Sequence, residues 1–175
     1  SEVMDRSQIG TLLEFSDIIQ VGSRNMFNYT LLTALGSIDK PVLFKRGMAS
    51  TIDEWLNATN YIFRGGNDAI ILCERGIRTF EPRTRNTLDI AAIHVAKKLS
   101  GYPVIVDPSH AAGESDLVIP LCLAAVAGGA DGIMVEVHPN PEGALSDGRQ
   151  ALTFRQFDTL MSRLKDVPAQ GISQE

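Results

Sequence analysis

The residues best suited to chemistry are one imidazole and two carboxylates, His110, Glu136 and Asp147. Imidazole and carboxylate donors together suit a divalent ion of the Mn, Fe, Co or Zn type. Spacing alone leaves a second reading open: a capped strand end, a buried ion pair and a turn residue, since Ser146-Asp147-Gly148 is good turn chemistry. His138 follows Glu136 by two positions, so the two share a strand face, and it reads as an outer partner or a substrate contact. His94 falls in a helical pattern and reads as a surface or packing residue.

Three cations form a second group: Arg24, Lys45 and Arg75 each follow an apolar run that reads as a buried strand. A cation at such a position is costly unless it is paired. Arginine holds phosphate in a bidentate fork, and lysine acts as a compact charge for carboxylate or phosphate. Gly22 and Ser23 would let backbone N–H groups approach the same anion. The competing reading pairs these cations with Glu2, Glu74 or Asp107. Arg46 reads as a neighbour pointing away, and Trp55 and Cys73 read as core.

The elements that position these residues alternate. Strands are expected at 17–21, 41–44, 69–73, 103–106 and 132–137, with helices at 7–15, 26–35, 52–64, 88–99, 117–127 and 154–164. The strands are near-continuous apolar runs, as expected when both faces are covered. Strand starts lie roughly 23 to 34 residues apart, the spacing of a parallel βα repeat. Two polar loops interrupt it: 77–85, rich in Arg and Thr and readable as a lid or a solvated loop, and 138–150.

Each strand delivers an ionisable residue at its carboxyl end: Arg24, Lys45, Arg75, His110 and Glu136. A (β/α)8 TIM barrel gathers residues from most of its strands at one face, whereas an open doubly wound sheet concentrates its site at one switch point. No dinucleotide-type glycine fingerprint follows any strand. The barrel is therefore the expected fold. Five complete strands and a possible sixth ending at Ser1-Glu2 correspond to about strands 3–8 of eight. The expectation is thus a fragment, or a half completed by another polypeptide, with 1–166 as the C-terminal part of the barrel and 167–175 as a flexible tail.

A net charge of −5 argues against a broad nucleic-acid surface, because phosphate-backbone binding wants a basic face. The most apolar stretch, 117–135, is broken by Pro120, Gly128, Gly129 and Asp131, too often for a membrane span. Residues 1–10 are polar and mixed in charge, unlike a signal peptide. Cys73 and Cys122 sit in apolar runs and read as buried thiols of a reducing, cytoplasmic compartment.

The wording of the strand ends resembles a known family. The matching motifs are Lys-Arg-Gly at 45–47, Ile-Leu-Cys-Glu-Arg-Gly-Ile-Arg-Thr-Phe at 71–80 and Thr-Arg-Asn-Thr-Leu-Asp at 84–89. With them go Asp-Pro-Ser-His at 107–110, Val-Glu-Val-His-Pro at 135–139 and Ala-Leu-Ser-Asp-Gly at 144–148. Together these are similar to type I 3-deoxy-D-arabino-heptulosonate 7-phosphate (DAHP) synthases of the beta subgroup. The resemblance implies a transferase of the shikimate pathway to aromatic amino acids that condenses phosphoenolpyruvate with erythrose 4-phosphate. It implies that Arg24 and Arg75 bind the phosphoenolpyruvate phosphate, that Lys45 binds its carboxylate and that Glu2 orders a nearby water. Ser23 stands where many members have Ala, in a contact made through backbone. His110, Glu136 and Asp147 would be three of four metal ligands, and Lys45 and His110 would be catalytic.

Two features of the family have no counterpart here: a Cys ligand ending the first barrel strand, which neither Cys73 nor Cys122 matches, and a Lys-Pro-Arg-Thr loop after the second. Two alternatives accompany this reading. One is an enzyme like the related 3-deoxy-manno-octulosonate 8-phosphate synthases, although the loop from Arg78 to Asp89 favours the heptulosonate enzyme. The other is a non-catalytic barrel remnant acting as an assembly partner. A homo-oligomer is the expected assembly where no completing N-terminal half is present.

Overall fold

A computed structural model of the protein describes residues 1–168, so residues 169–175 of the expected tail lie outside the described residues. Six short strands are present among the described residues: β1 (Glu2–Val3), β2 (Ile19–Val21), β3 (Val42–Lys45), β4 (Ile70–Glu74), β5 (Val104–Val106) and β6 (Gly132–Ile133). Their order in the sheet is β1-β2-β3-β4-β5-β6. Consecutive order without a reversal is that of a (β/α)8 barrel; a doubly wound sheet reverses at its switch point.

The chain divides into two compact units. The first holds Ser1–Cys73 and Ala96–Pro103. Its strands pair in parallel, with Glu2 opposite Gln20, Val21 opposite Phe44 and Lys45 opposite Cys73. Between them run α1 (Ile9–Phe15), α2 (Tyr29–Leu35) and α3 (Ile52–Phe63). Every residue of β3 is buried, which accounts for its unbroken apolar run up to Lys45.

Helix α3 begins where the sequence places it. Thr51 accepts from the Glu54 N–H while the Glu54 carboxylate accepts from the Thr51 N–H, a reciprocal capping box. The helix delivers Trp55 into the core with no exposure, and the indole N–H donates to the Phe44 carbonyl at 3.3 Å. Trp55→Ala is expected to cost about 3–5 kcal/mol of unfolding free energy, since it leaves a large cavity in the core. A chemical denaturation midpoint checks this.

Arg46, read as a neighbour of Lys45 pointing away, is 3% exposed, donates to the Ser50 carbonyl at 3.0 Å and lies 6.0 Å from the Trp55 ring centroid. Its guanidinium braces the turn after β3, because a buried carbonyl there needs a donor.

The second unit holds Glu74–Val95 and residues from Val104 onward. Here β5 pairs in parallel with β6. Helix α4 (Ile90–Ser100) starts in this unit, and α5 (Pro108–Ala112), α6 (Ser115–Ala127) and α7 (Phe154–Leu164) lie within it. Its core is Val118, Cys122, Leu152 and Leu160, packed by Ile133, Val135 and Phe157 among others.

The expected strand 132–137 shortens to Gly132–Ile133. The reason is local: β5 stops at Val106, and Met134 N–H already bonds the Val106 carbonyl. Residues beyond it turn instead to Leu152, whose N–H donates to the Glu136 carbonyl and whose carbonyl accepts from the His138 N–H, each at 2.9 Å.

Both cysteines are buried and free. Burial, followed by the nearby Asp107 charge, pushes the Cys122 thiol up to about 12. A buried thiol held so far above neutral pH is a poor nucleophile. Native protein at pH 8 is therefore expected to leave both thiols unlabelled by iodoacetamide, with labelling appearing only on unfolding. No described helix is long and apolar enough to cross a membrane.

Candidate functional site

The residues expected from the sequence are divided between the two units. In the first unit, Glu2 ends up beside the turn after β2. Its carboxylate accepts from the Gln20 amide at 3.1 Å and lies against Gly22, where an added Cβ would come within 2.1 Å of Glu2 Oε1. That oxygen is the tip of a flexible, exposed side chain, so a larger residue at Gly22 would displace the Glu2 carboxylate rather than clash with backbone. Ser23 and Arg24 form a one-turn 3-10 helix, with the Arg24 side chain exposed. Lys45 closes β3 and is 6% exposed.

The second unit assembles the rest. Asp107 ends the buried strand β5 and is the N-cap of α5, with Pro108 in the first turn. Proline is favoured there because its missing N–H and fixed φ suit a helix start. Asp107 Oδ1 accepts from the His110 backbone N–H at 3.0 Å, and Oδ2 lies 2.8 Å from His110 Nδ1. One carboxylate, 1% exposed, thus starts the helix and fixes the ring it presents.

A carboxylate is an acceptor, so Asp107 Oδ2 accepts from His110 Nδ1 and turns the other ring nitrogen toward the cluster. Nε2 lies 3.3 Å from Glu136 Oε1. Asp147 completes the group: one donor atom from each of His110, Glu136 and Asp147 lies within 4.8 Å of the others. Imidazole and carboxylate donors at that separation are close enough to share one ion. The donor set fits a divalent cation, with Asp107 as the carboxylate that orients the histidine from behind.

Asp147 is held in position by its backbone. Its φ of +53° is the one positive value among the described non-glycine residues. Asp tolerates the left-handed region better than bulkier side chains do. Glu136 sits on the extended segment after β6, where its N–H donates to the buried Ser109 hydroxyl at 3.0 Å. His138 does not join the group; its Nδ1 accepts from the Asn140 N–H at 3.1 Å within its own loop. His94 is exposed on α4.

Arg75 follows β4 and is 3% exposed. It donates to the Gly76 carbonyl and to the His110 carbonyl, each at 3.3 Å. Asn86 donates to the same His110 carbonyl at 3.2 Å. Gly76, at φ +88°, turns the chain between them, and a Cβ there would come within 2.9 Å of Ala111 and Asn86.

The polar loop 77–85 is sewn down at its far end. Arg85 N–H donates to the Ala112 carbonyl and Asn86 N–H to the Ala111 carbonyl, while Ile77 bridges Thr87. These bonds fasten its two ends, and residues 78–83 between them are exposed.

Asn86, Ser109 and Gln150 are residues the sequence reading missed. Asn86 lay inside a quoted motif, and Ser109 beside His110, but Gln150 carried no signal beyond being a polar loop residue.

The whole of this arrangement lies within a recognised family. The DAHP synthetase I family model matches residues 1–171. The phospho-2-dehydro-3-deoxyheptonate aldolase of Thermotoga maritima is 54% identical over 167 residues, covering 95% of this chain and 49% of that protein. A 2-dehydro-3-deoxyphosphooctonate aldolase of Desulfotalea psychrophila is 31% identical over 180 residues, covering 97% of this chain and 63% of that protein. A solved truncated form of the Thermotoga maritima 3-deoxy-D-arabino-heptulosonate 7-phosphate synthase superposes with a TM-score of 0.93 at 54% identity, covering 95% of this chain and 63% of that one. The chain spans about half the length of the curated Thermotoga relative it matches. With these matches added to the strand order and to the motifs at 71–80, 107–110 and 144–148, the chain belongs to the DAHP synthetase I family.

Proposed function

We propose that the protein carrying this chain is a metal-dependent DAHP synthase. The observation that carries the reading is the convergence of His110, Glu136 and Asp147 within 4.8 Å, with Asp107 fixing the imidazole. It is supported by 54% identity to the Thermotoga enzyme across 95% of the chain, against 31% to an octulosonate relative. The expected compartment is the cytoplasm, consistent with two buried free thiols.

In this reading C3 of phosphoenolpyruvate attacks the aldehyde carbon of erythrose 4-phosphate and forms the new C–C bond. Water adds its oxygen at C2, and a proton from it balances the former aldehyde oxygen. The C2–O bond to the phosphoryl group then breaks, and phosphate leaves with the bonding pair. A bound divalent cation of the Mn, Fe, Co or Zn type would supply Lewis acidity at the aldehyde oxygen.

The chain's own residues do the rest. Arg75 and Arg24 hold the phosphoenolpyruvate phosphate and Lys45 its carboxylate. Their charges are fixed before the phosphate takes up the C–O bonding pair, and with it additional negative charge, on leaving, so they favour the transition state as well as binding. Glu2 orders a water beside the Gly22–Ser23 turn. Asp107 accepts from His110 Nδ1, so Nε2 is the ring atom that would face the ion.

The acceptor sugar is the open choice between the two enzyme types. Three carbons come from phosphoenolpyruvate, so an octulosonate product needs a five-carbon sugar phosphate and a heptulosonate product a four-carbon one. Phosphoenolpyruvate consumption is expected with erythrose 4-phosphate, to stop on adding a chelator and to return with Mn²⁺. Faster turnover with a pentose 5-phosphate would move the assignment to the octulosonate type.

A further inference from the structure

Beyond the expected ligands, a buried amide in the second unit has no part in the reaction as described. Gln150 is 2% exposed and ends a short 3-10 turn that starts just after Asp147. Its Nε2 donates to Glu136 Oε2 at 2.7 Å, and its Oε1 accepts from Arg85 Nη1 at 2.6 Å. The same Arg85 Nη1 donates to Asp147 Oδ1 at 2.8 Å.

The orientation of the amide follows from its partners. Arginine is a donor only and an ionised carboxylate an acceptor only, so the oxygen must face Arg85 and the NH₂ must face Glu136. The amide therefore transmits a directed contact from a guanidinium to a carboxylate. It takes up Glu136 Oε2 and leaves Oε1 as the oxygen turned to His110 Nε2. Arg85 meanwhile ties the same relay to Asp147, and its own backbone is anchored by the bond to the Ala112 carbonyl.

We propose that Gln150 is a positioning residue for the metal centre, its Arg85-oriented amide selecting which Glu136 oxygen faces the ion and holding Glu136 and Asp147 in register. This rests on the metal reading of His110, Glu136 and Asp147 made above. Outer-shell partners of this kind set the geometry and basicity of the ligands they touch, and their loss typically weakens metal binding about 10–100-fold. Gln150 differs from Asp107 in acting on a carboxylate ligand, where two equivalent oxygens must be told apart.

The test is Mn²⁺ binding, followed by the electron paramagnetic resonance signal of free and bound ion, with the unfolding midpoint measured separately in EDTA. Gln150→Met keeps the volume and removes both hydrogen bonds. Gln150→Asn keeps the amide but is one methylene too short to satisfy both ends. The Met variant is expected to weaken Mn²⁺ affinity at least about tenfold, with an altered bound-ion signal, and the Asn variant to fall between it and the parent.

Affinity within twofold of the parent in a folded variant would overturn the proposal. So would a lowered midpoint in EDTA with unchanged Mn²⁺ affinity, which would assign Gln150 to stability alone. His110→Ala separates the two levels of the argument. If the parent binds Mn²⁺ no better than His110→Ala, the metal reading fails and Gln150 falls with it. If the parent binds and only the Gln150 variants are unaffected, the metal reading stands and the positioning role alone is wrong.

Discussion

His110→Ala is expected to abolish phosphoenolpyruvate turnover and to weaken Mn²⁺ binding by more than the about 10–100-fold that losing an outer-shell partner costs. The reason is that one substitution removes three things. It takes away the one nitrogen donor of the cluster. It leaves the Asp107 carboxylate, 1% exposed, without its ring partner at 2.8 Å. It also leaves Glu136 and Asp147 as two carboxylates whose donor atoms lie within 4.8 Å with no imidazole between them. The helix itself should survive, because Asp107 Oδ1 caps it through a backbone N–H that Ala retains. Circular dichroism of the variant should therefore match the parent while metal titration and phosphate release do not. Parent-like turnover in His110→Ala would mean the cluster is a strand-end ion pair.

Arg75→Ala is the second large effect. A guanidinium 3% exposed, bonded to the Gly76 and His110 carbonyls, is already fixed in place before any anion arrives. Preorganised donors aimed at developing charge contribute on the order of 10²–10³ in rate each. A fall of that order in kcat/KM for phosphoenolpyruvate is expected, with kcat and KM both affected. Arg75→Lys should restore little, because an ammonium cannot reproduce the planar fork that reaches two carbonyls and a phosphate at once. Steady-state kinetics over a range of phosphoenolpyruvate concentrations separates the two parameters. A change below about tenfold would place Arg75 among structural residues bracing the His110 carbonyl.

The fold was legible wherever burial on both faces made the sequence monotonous. The runs at 42–44, 70–73 and 104–106 are strands because nothing in them tolerates water, and each ends where a polar residue first appears. The start of α3 was legible as far as Ser50 or Thr51, and Thr51 takes the cap. The stretch 134–137 misled, since Val135 and Val137 look like strand but the neighbouring strand has already ended at Val106. Pairing partners are not written in a segment's own composition. Helix α5 was not among the expected helices, although Asp107-Pro108 is a cap and first-turn pair that suits a helix start.

Of the site, the charged residues were legible because ionisable groups at the ends of apolar runs call for an explanation. The metal trio was found through type and position, although His110, Glu136 and Asp147 are separated by long intervals. The residues that orient them were not. Asn86 and Gln150 are neutral amides in polar loops, where amides are ordinary. Their significance comes from burial, 6% and 2% exposed, and from which atoms they face. That information exists only once the loop 77–87 is folded back onto α5.

The central claim is that His110, Glu136 and Asp147 together hold one divalent cation. The direct measurement is an anomalous-difference map from crystals of the protein soaked in Mn²⁺. The expected result is one strong peak roughly 2.0–2.2 Å from His110 Nε2 and from one oxygen each of Glu136 and Asp147. A map with no peak among these three side chains, or with the peak bound elsewhere while His110 Nε2 stays against Glu136, would contradict it.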